Sequence, residues 1–549
     1  MEDILLNKPG KKIILLGNEA IVRGALEAGV QFISTYPGTP ASEIGNTFFK
    51  LKTKNSKLKN IHFEWSVNEK VALEVAAGAS FSDLRSLVAM KHFGLNVASD
   101  FLLPLCYSGV KGGLVLVVAD DPGCWSSAQS EENTRAFAYL AHIPILEPSD
   151  PQECKDFVKF AFELSEKLKI PVMIRETTRV ALQSAPVKLG KIREGKRKAH
   201  FVKNPHQFST MPPRVLEMKK ELLEKIEKIR EISEKSSLNQ LFRGPSSGSS
   251  KRGIITSGVS FLYVMEALNE LNLKIPVLKL GFFYPLPEKK IKEFIKNLKK
   301  VLIVEELEAY LEKEVERISK TVNPKLKIFG KNLIPEIGEL KPEMVTFALA
   351  KFSGKKYQIL DTKYKIPIPK RFPQLCPGCP YWFVFSTIKR IAPKGTIFGG
   401  EIGCYMLAAY PPHFLQDYLF CMGSSTSIAH GIKKTTGQKV IAFVGDSSFF
   451  HAGIPALINT VYNKSNPLII IMDNRTTAMT GHQPHPGAPA KDHEIKIEDI
   501  VKALGVKYVK TIDPINVKEF EKTLKEFLKK KEVSVIIARR PCVQIIKRK

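Results

Sequence analysis

Asp446 and Asn474 are the residues whose types and spacing speak most directly of chemistry. The run VIAFVGDSSFFHAGIPALINTVYNKSNPLIIIMDNRTTAMTG reads as an apolar strand, a Gly445-Asp446-Ser447 turn, a helix, a second apolar strand and then Asp473-Asn474-Arg475-Thr476. Asn474 falls 29 positions after Gly445. The carboxylate and the amide oxygen would each stand at the end of a parallel strand, where ligands gather in such sheets. Both are hard oxygen donors suited to Mg²⁺, an ion usually shared between few carboxylates and phosphate oxygens. A strand-turn-helix with a capping aspartate would explain Gly445-Asp446 alone. The second strand ending in Asp473-Asn474 at this distance argues for a metal-bridged diphosphate.

A second group is sulfur. Cys376-Pro377-Gly378-Cys379 puts two thiols on one turn, Cys404 follows 25 residues after Cys379, and Cys542 comes near the end. Four thiolates can hold a four-iron cluster or a zinc ion, whereas isolated cysteines behave as small buried hydrophobes. Lys91, His92 and Asn96 follow a buried strand, at a place suited to a ligand-facing loop. They could bind a substrate carboxylate or be solvated loop residues. Tyr36-Pro37-Gly38-Thr39-Pro40 reads as a rigid turn after a strand.

The elements that must position these residues are those of an α/β protein. With 549 residues the chain should hold several domains. Residues 1–185 alternate strands (KKIILL, QFIST, RSLVAMKH, GGLVLVVADDPG, IPVMIRET) with helices, as a parallel sheet requires. Residues 186–250 read as a charged helical excursion with solvated faces, ending in the flexible linker RGPSSGSSKRG. A smaller α/β domain spans 251–345, with strands GIITSG, PVLKLGFF and KVLIVEE; a connector covers 346–370; a third α/β domain covers 371–549.

Composition narrows the class further. Apolar residues make up 44% and charged residues 25%, ordinary for a globular chain, and no apolar run approaches a membrane span. The acidic start MEDILLNKPG is unlike a secretory signal, and the cysteines without such a signal suggest metal or redox chemistry in the cytoplasm. The net charge of +28, from 83 Lys and Arg against 55 Asp and Glu, comes with no nucleic-acid-binding motif. An acidic protein partner or a lysine-rich background accounts for it.

The Gly445-Asp446-Ser447 to Asn474 arrangement resembles the thiamine-diphosphate motif, with Ser447 where that motif has glycine. The resemblance implies Mg²⁺ bound by Asp446, Asn474 and the Thr476 carbonyl, with Gly445, Ser447 and Gly423 against the cofactor. It also implies one carboxylate against the aminopyrimidine, which helps the cofactor lose its C2 proton. Glu69 fits, preceding a small-residue helix with Gly78 nine positions on; Glu74 does not.

YPGTPASE, EWSVNEKVALEVAAGASFSDLRSLVAMKHFGLNVASD, GIITSG, CPGCPY, GEIGCYMLAAYPP and VIIARRPC together resemble the large subunit of the indolepyruvate:ferredoxin oxidoreductases, over nearly the whole chain and in order. The resemblance implies two thiamine-diphosphate-binding domains, parallel sheets with helices on both faces, flanking a smaller domain like the C-terminal domain of transketolase. It implies oxidative decarboxylation of an aryl 2-oxoacid with coenzyme A and ferredoxin, a smaller β subunit in an α₂β₂ assembly, Thr39 facing substrate and cofactor, and a 4Fe–4S cluster on Cys376, Cys379, Cys404 and Cys542. Tyr381 stands where the family commonly has histidine. The family's ferredoxin-like cysteine runs occur nowhere in this sequence, so those clusters are expected from a separate subunit or a free ferredoxin. Other readings are a different 2-oxoacid:ferredoxin oxidoreductase, a non-oxidative decarboxylase or carboligase, and a non-catalytic basic subunit.

Overall fold

A computed structural model describes residues 2–54, 58, 60–243, 251–357, 371–490 and 493–546. Most of the glycine-serine linker, residues 244–250, and of the expected connector, residues 358–370, lies outside them. The chain divides into two compact units, Met1–Thr362 and Lys363–Lys549.

The first unit holds two main sheets. One has seven strands, in the order Phe282–Tyr284, Ile145–Leu146, Val172–Thr177, Leu114–Asp120, Ser86–Lys91, Phe32–Thr35 and His62–Trp65. All its pairings are parallel except the first. Ser86–Lys91 and Leu114–Asp120 are buried along their whole length, which is why they read as continuous apolar runs. Helices Glu69–Phe81 and His92–Ser108 pack on each other, as do Gly17–Glu27 and Pro151–Leu168.

The second sheet has five strands, in the order Lys327–Phe329, Lys300–Val304, Arg252–Ser257, Val277–Leu280 and Asn239–Phe242, the last antiparallel. One buried arginine ties it to the first. Arg135 donates two hydrogen bonds of 2.6 Å to Glu147, one of 2.6 Å to Glu305 and one of 2.7 Å to Ser257. Its guanidinium lies 4.3 Å from the Phe283 ring centre.

Several expectations need correcting. Lys12–Leu16 is a strand but joins neither large sheet; it pairs antiparallel with Ser184–Lys188, because it buries only Leu15 and leaves Ile14 72% exposed. The expected strand PVLKLGFF splits at Gly281: Val277–Leu280 stays in the five-stranded sheet and Phe282–Tyr284 crosses to the seven-stranded one. The charged excursion is not solvated all round. Its helix Arg214–Lys235 buries Met218, Leu222, Ile226 and Ile229, a stripe at helical spacing, and packs on His92–Ser108. Asn239–Phe242, expected within the helical excursion, is a strand. Residues 346–353 are not connector but belong to helix Pro342–Ser353, which packs on Ser260–Glu270.

The second unit is a six-stranded, all-parallel sheet in the order Tyr418–Leu419, Ile397–Gly400, Val440–Gly445, Leu468–Asp473, Ser534–Arg539 and Tyr508–Ile512. No helix among the described residues is long and apolar enough to cross a membrane.

Candidate functional site

In the second unit, Val440–Gly445 and Leu468–Asp473 are buried neighbours, with Gly445 opposite Met472. Asp446 and Asn474 therefore leave adjacent strands at the same edge. Asp446 begins a helical run that winds as a π-turn over Phe449–Gly453 before continuing as Ile454–Tyr462, a distortion common at functional sites. Its Oδ1 accepts from the Ser447 N–H at 2.8 Å and its Oδ2 lies 3.1 Å from His485 Nε2. The Gly445 N–H donates to Tyr405 Oη at 2.9 Å. The Thr476 N–H donates to Asn474 Oδ1 at 3.1 Å, and Thr477 Oγ1 bonds to Ser447 Oγ at 3.1 Å. Next to Asn474, burial and then the Asp446 charge raise the Asp473 carboxyl, against the Arg539 guanidinium bonded to it at 2.6 Å.

These residues fit a metal-bridged diphosphate. Asp446, Asn474 and Thr476 are buried, and the oxygens of Asp446 and Asn474 have lone pairs beyond those their hydrogen bonds use. Gly423 has φ +81° before helix Ser424–Thr436, and a Cβ there would stand 2.7 Å from Ala452. Glu401, at the end of strand Ile397–Gly400, is buried and raised to about 7 by burial, although Tyr405 Oη donates to it at 2.8 Å.

The Cys376 and Cys379 pair and the more distant Cys404 and Cys542 line one cavity of about 60 Å³ together with Tyr381, Leu407 and Asn474. Burial first, and then the neighbouring thiols, push Cys379 up to about 11 and Cys404 up to about 12. Both are thus neutral thiols without a metal to deprotonate them. Their number and chemistry fit a thiolate-bound centre. They are not drawn in to ligand geometry: no three His, Cys, Asp or Glu side chains among the described residues form a group that could hold a metal ion. Cys542 Sγ lies 3.7 Å from His482 Nε2. Tyr381 is buried and donates to the Met472 carbonyl at 2.9 Å.

In the first unit, Glu69 is buried at the first position of its helix, capped by Asn68, whose side chain accepts from the Val71 N–H at 2.9 Å. Gly94 gives it room: a Cβ there would stand 2.4 Å from Glu69 Cγ. Lys91 is brought to the predicted turn. A Cβ on Gly38 would meet the Lys91 side chain at 2.8 Å, and Ser126 joins the two, donating to the Thr39 carbonyl at 3.1 Å and accepting from Lys91 Nζ at 2.9 Å. Burial lowers Lys91 to about 8, even with Asp121 3.5 Å away. His92 is fully buried. Its two ring nitrogens lie 3.4 Å from the Ala119 and Ser130 carbonyls, and burial lowers its pKa. Asn96 is exposed and donates to Glu132.

Comparison with known proteins decides the family. The chain is 44% identical to indolepyruvate oxidoreductase subunit IorA of Methanothermobacter marburgensis, over 99% of this chain and 89% of that protein. It is 43% identical to the subunit of the same name from Pyrococcus horikoshii, over 98% and 87%. The chain belongs to the indolepyruvate oxidoreductase IorA family. Two family models agree with this assignment. Residues 23–235 match the thiamine-diphosphate-binding domain of pyruvate flavodoxin/ferredoxin oxidoreductases, and residues 401–538 match the C-terminal thiamine-pyrophosphate-binding domain of thiamine enzymes. Membership makes the chain a thiamine-diphosphate-dependent 2-oxoacid oxidoreductase, so the non-oxidative and non-catalytic readings fall away. A solved 2-oxoglutarate:ferredoxin oxidoreductase from Magnetococcus marinus shares the fold, at 18% identity and a TM-score of 0.50 over 62% of this chain and 65% of that one.

The sequence had not singled out Gly94, Ser126, Tyr405, His482 or His485. Gly94 and Ser126 carry no signal of their own. His482 and His485 sit in a polar, proline-containing loop, GHQPHPGAP, which has neither periodicity nor ligand spacing.

Proposed function

We propose that the chain is the catalytic subunit for oxidative decarboxylation of an aryl 2-oxoacid of the indolepyruvate class, with coenzyme A and ferredoxin, giving an aryl-acetyl-CoA and CO₂. The supporting observation is a relative named indolepyruvate oxidoreductase subunit IorA that matches 99% of this chain, in a chain whose two adjacent parallel strands lead directly into Asp446 and Asn474. In this reading Asp446, Asn474 and the Thr476 carbonyl hold Mg²⁺, and Gly445, Ser447 and Gly423 cradle the diphosphate. Thiamine diphosphate, when bound, supplies the nucleophilic carbon and the electron sink. Glu69 holds and moves the proton at the aminopyrimidine. Thr39 and Lys91 face the substrate carboxylate, and His92 fixes the strand end and the loop over it. A smaller β subunit completes an α₂β₂ assembly in the cytoplasm, and the +28 charge suits an acidic electron carrier.

One-electron transfer needs a redox centre, and the thiol-lined cavity is the candidate for a 4Fe–4S cluster. Anaerobically purified protein is expected to carry about four irons per chain, with a reducible centre visible by low-temperature EPR and lost in Cys376→Ser. Zinc, or no metal, would assign the four cysteines a structural role and send the electrons out through another protein.

Lys91 gives a pH test. In the folded protein it loses its charge above about 8, so KM for the 2-oxoacid should rise above that pH, while Lys91→Arg, always charged, should flatten the rise. Stability moves the other way. Unfolded lysine stays charged to its ordinary 10.5 and binds more protons than the folded form between about 8 and 10.5, so this group's contribution to stability increases with pH across that window.

A further inference from the structure

The buried imidazole of His485 has both nitrogens engaged, and the partners fix its tautomer. Nδ1 accepts from the Gly487 N–H at 3.2 Å. A nitrogen that accepts carries no proton, so in the neutral ring the hydrogen sits on Nε2. Nε2 faces Asp446 Oδ2 at 3.1 Å and therefore donates to it. The ring has little freedom to turn. Phe450 lies 5.9 Å away centre to centre, and Gly487 approaches so closely that a Cβ on it would stand 2.8 Å from Phe450 and 3.2 Å from the imidazole.

We infer that His485 is a positioning residue for the metal site, orienting the Asp446 carboxylate through an Nε2–H donor while leaving that carboxylate's remaining lone pairs to the cation. This rests on the assignment of Asp446 as a Mg²⁺ ligand. Groups that orient metal ligands in this way typically cost 10- to 100-fold in metal affinity when removed. The amide nitrogen of a glutamine side chain reaches about as far as Nε2, whereas that of asparagine reaches only as far as Nδ1. His485→Gln would thus keep the donor to Asp446, and His485→Asn would lose it, while its shorter amide can still accept from the Gly487 N–H through Oδ1.

The test is a Mn²⁺ titration of the full-length chain by EPR at saturating thiamine diphosphate, with circular dichroism to establish that each variant is folded. His485→Asn is expected to weaken Mn²⁺ binding 10- to 100-fold, and His485→Gln to stay within a few-fold of the wild type. Equal losses in both variants would overturn the inference in favour of simple packing. An unchanged affinity in His485→Asn would overturn it too, provided Asp446→Asn is defective. If Asp446→Asn itself binds Mn²⁺ normally, the metal-site assignment is what fails.

Discussion

Glu69→Gln is expected to lower 2-oxoacid-dependent reduction of an artificial acceptor by about 10²- to 10⁴-fold, the usual contribution of a positioned acid–base group. The substitution keeps size and hydrogen-bonding capacity and removes only the ability to take up and release a proton. Glu69 is buried, starts its helix behind an Asn68 cap, and occupies space that Gly94 leaves open, so the amide has the same place to sit. Thiamine diphosphate affinity should therefore stay within a few-fold of the wild type. That split, a large loss of turnover with binding retained, separates a proton-moving carboxylate from a structural one. A loss of a few-fold or less would remove Glu69 from the catalytic role.

Arg135→Leu is expected to destabilise the first unit by about 3–5 kcal/mol, the cost of breaking a buried ion pair by deleting one partner. The substitution leaves Glu147 and Glu305, both 1% exposed, without their shared cation. The two carboxylates are not equivalent. Despite burial, the guanidiniums of Arg135 and Arg175 hold Glu147 at about 2, whereas for Glu305 burial outweighs Arg135 and raises it. The Glu147 contribution is complete above its ordinary 4.5 and is lost as pH falls from there toward about 2. Urea unfolding of wild type and variant at neutral pH should show the full difference, narrowing across that acidic window. A gap under about 1 kcal/mol would mean that solvent or a neighbouring cation reaches the vacated position.

The parts of the fold legible in the sequence are those where burial is two-sided. Val440–Gly445, Leu468–Asp473 and Leu114–Asp120 read as strands because parallel strands are apolar throughout. Cys376 and Cys379 could be paired because C-x-x-C is a local signal, whereas Cys404 and Cys542 joined them only through the resemblance to the oxidoreductase family. Tertiary partners were not legible. Nothing in NQLF or FFY says that one joins the five-stranded sheet and the other crosses to the seven-stranded one. The stripe Met218, Leu222, Ile226 and Ile229 was hidden by the lysines and glutamates around it. The His485 contact depends on a loop folding back on Asp446, and loops of this kind are placed by their surroundings rather than by their own pattern.

The crossing of Phe282–Tyr284 also bears on how the chain is made. That strand covers Ile145–Leu146, the outermost of the six parallel strands, and it leaves the ribosome 138 residues later. Ile145–Leu146 joins the sheet only through Val172–Thr177, 107 residues before Tyr284, so at the usual rate of about 5–20 residues per second each nascent chain carries an open sheet edge for roughly 5 to 21 s. An open edge invites pairing with neighbouring chains, and crowded polysomes hold many copies at the same stage. The uncovered strand is only two residues long, a short template that limits such pairing until Phe282–Tyr284 arrives to close it.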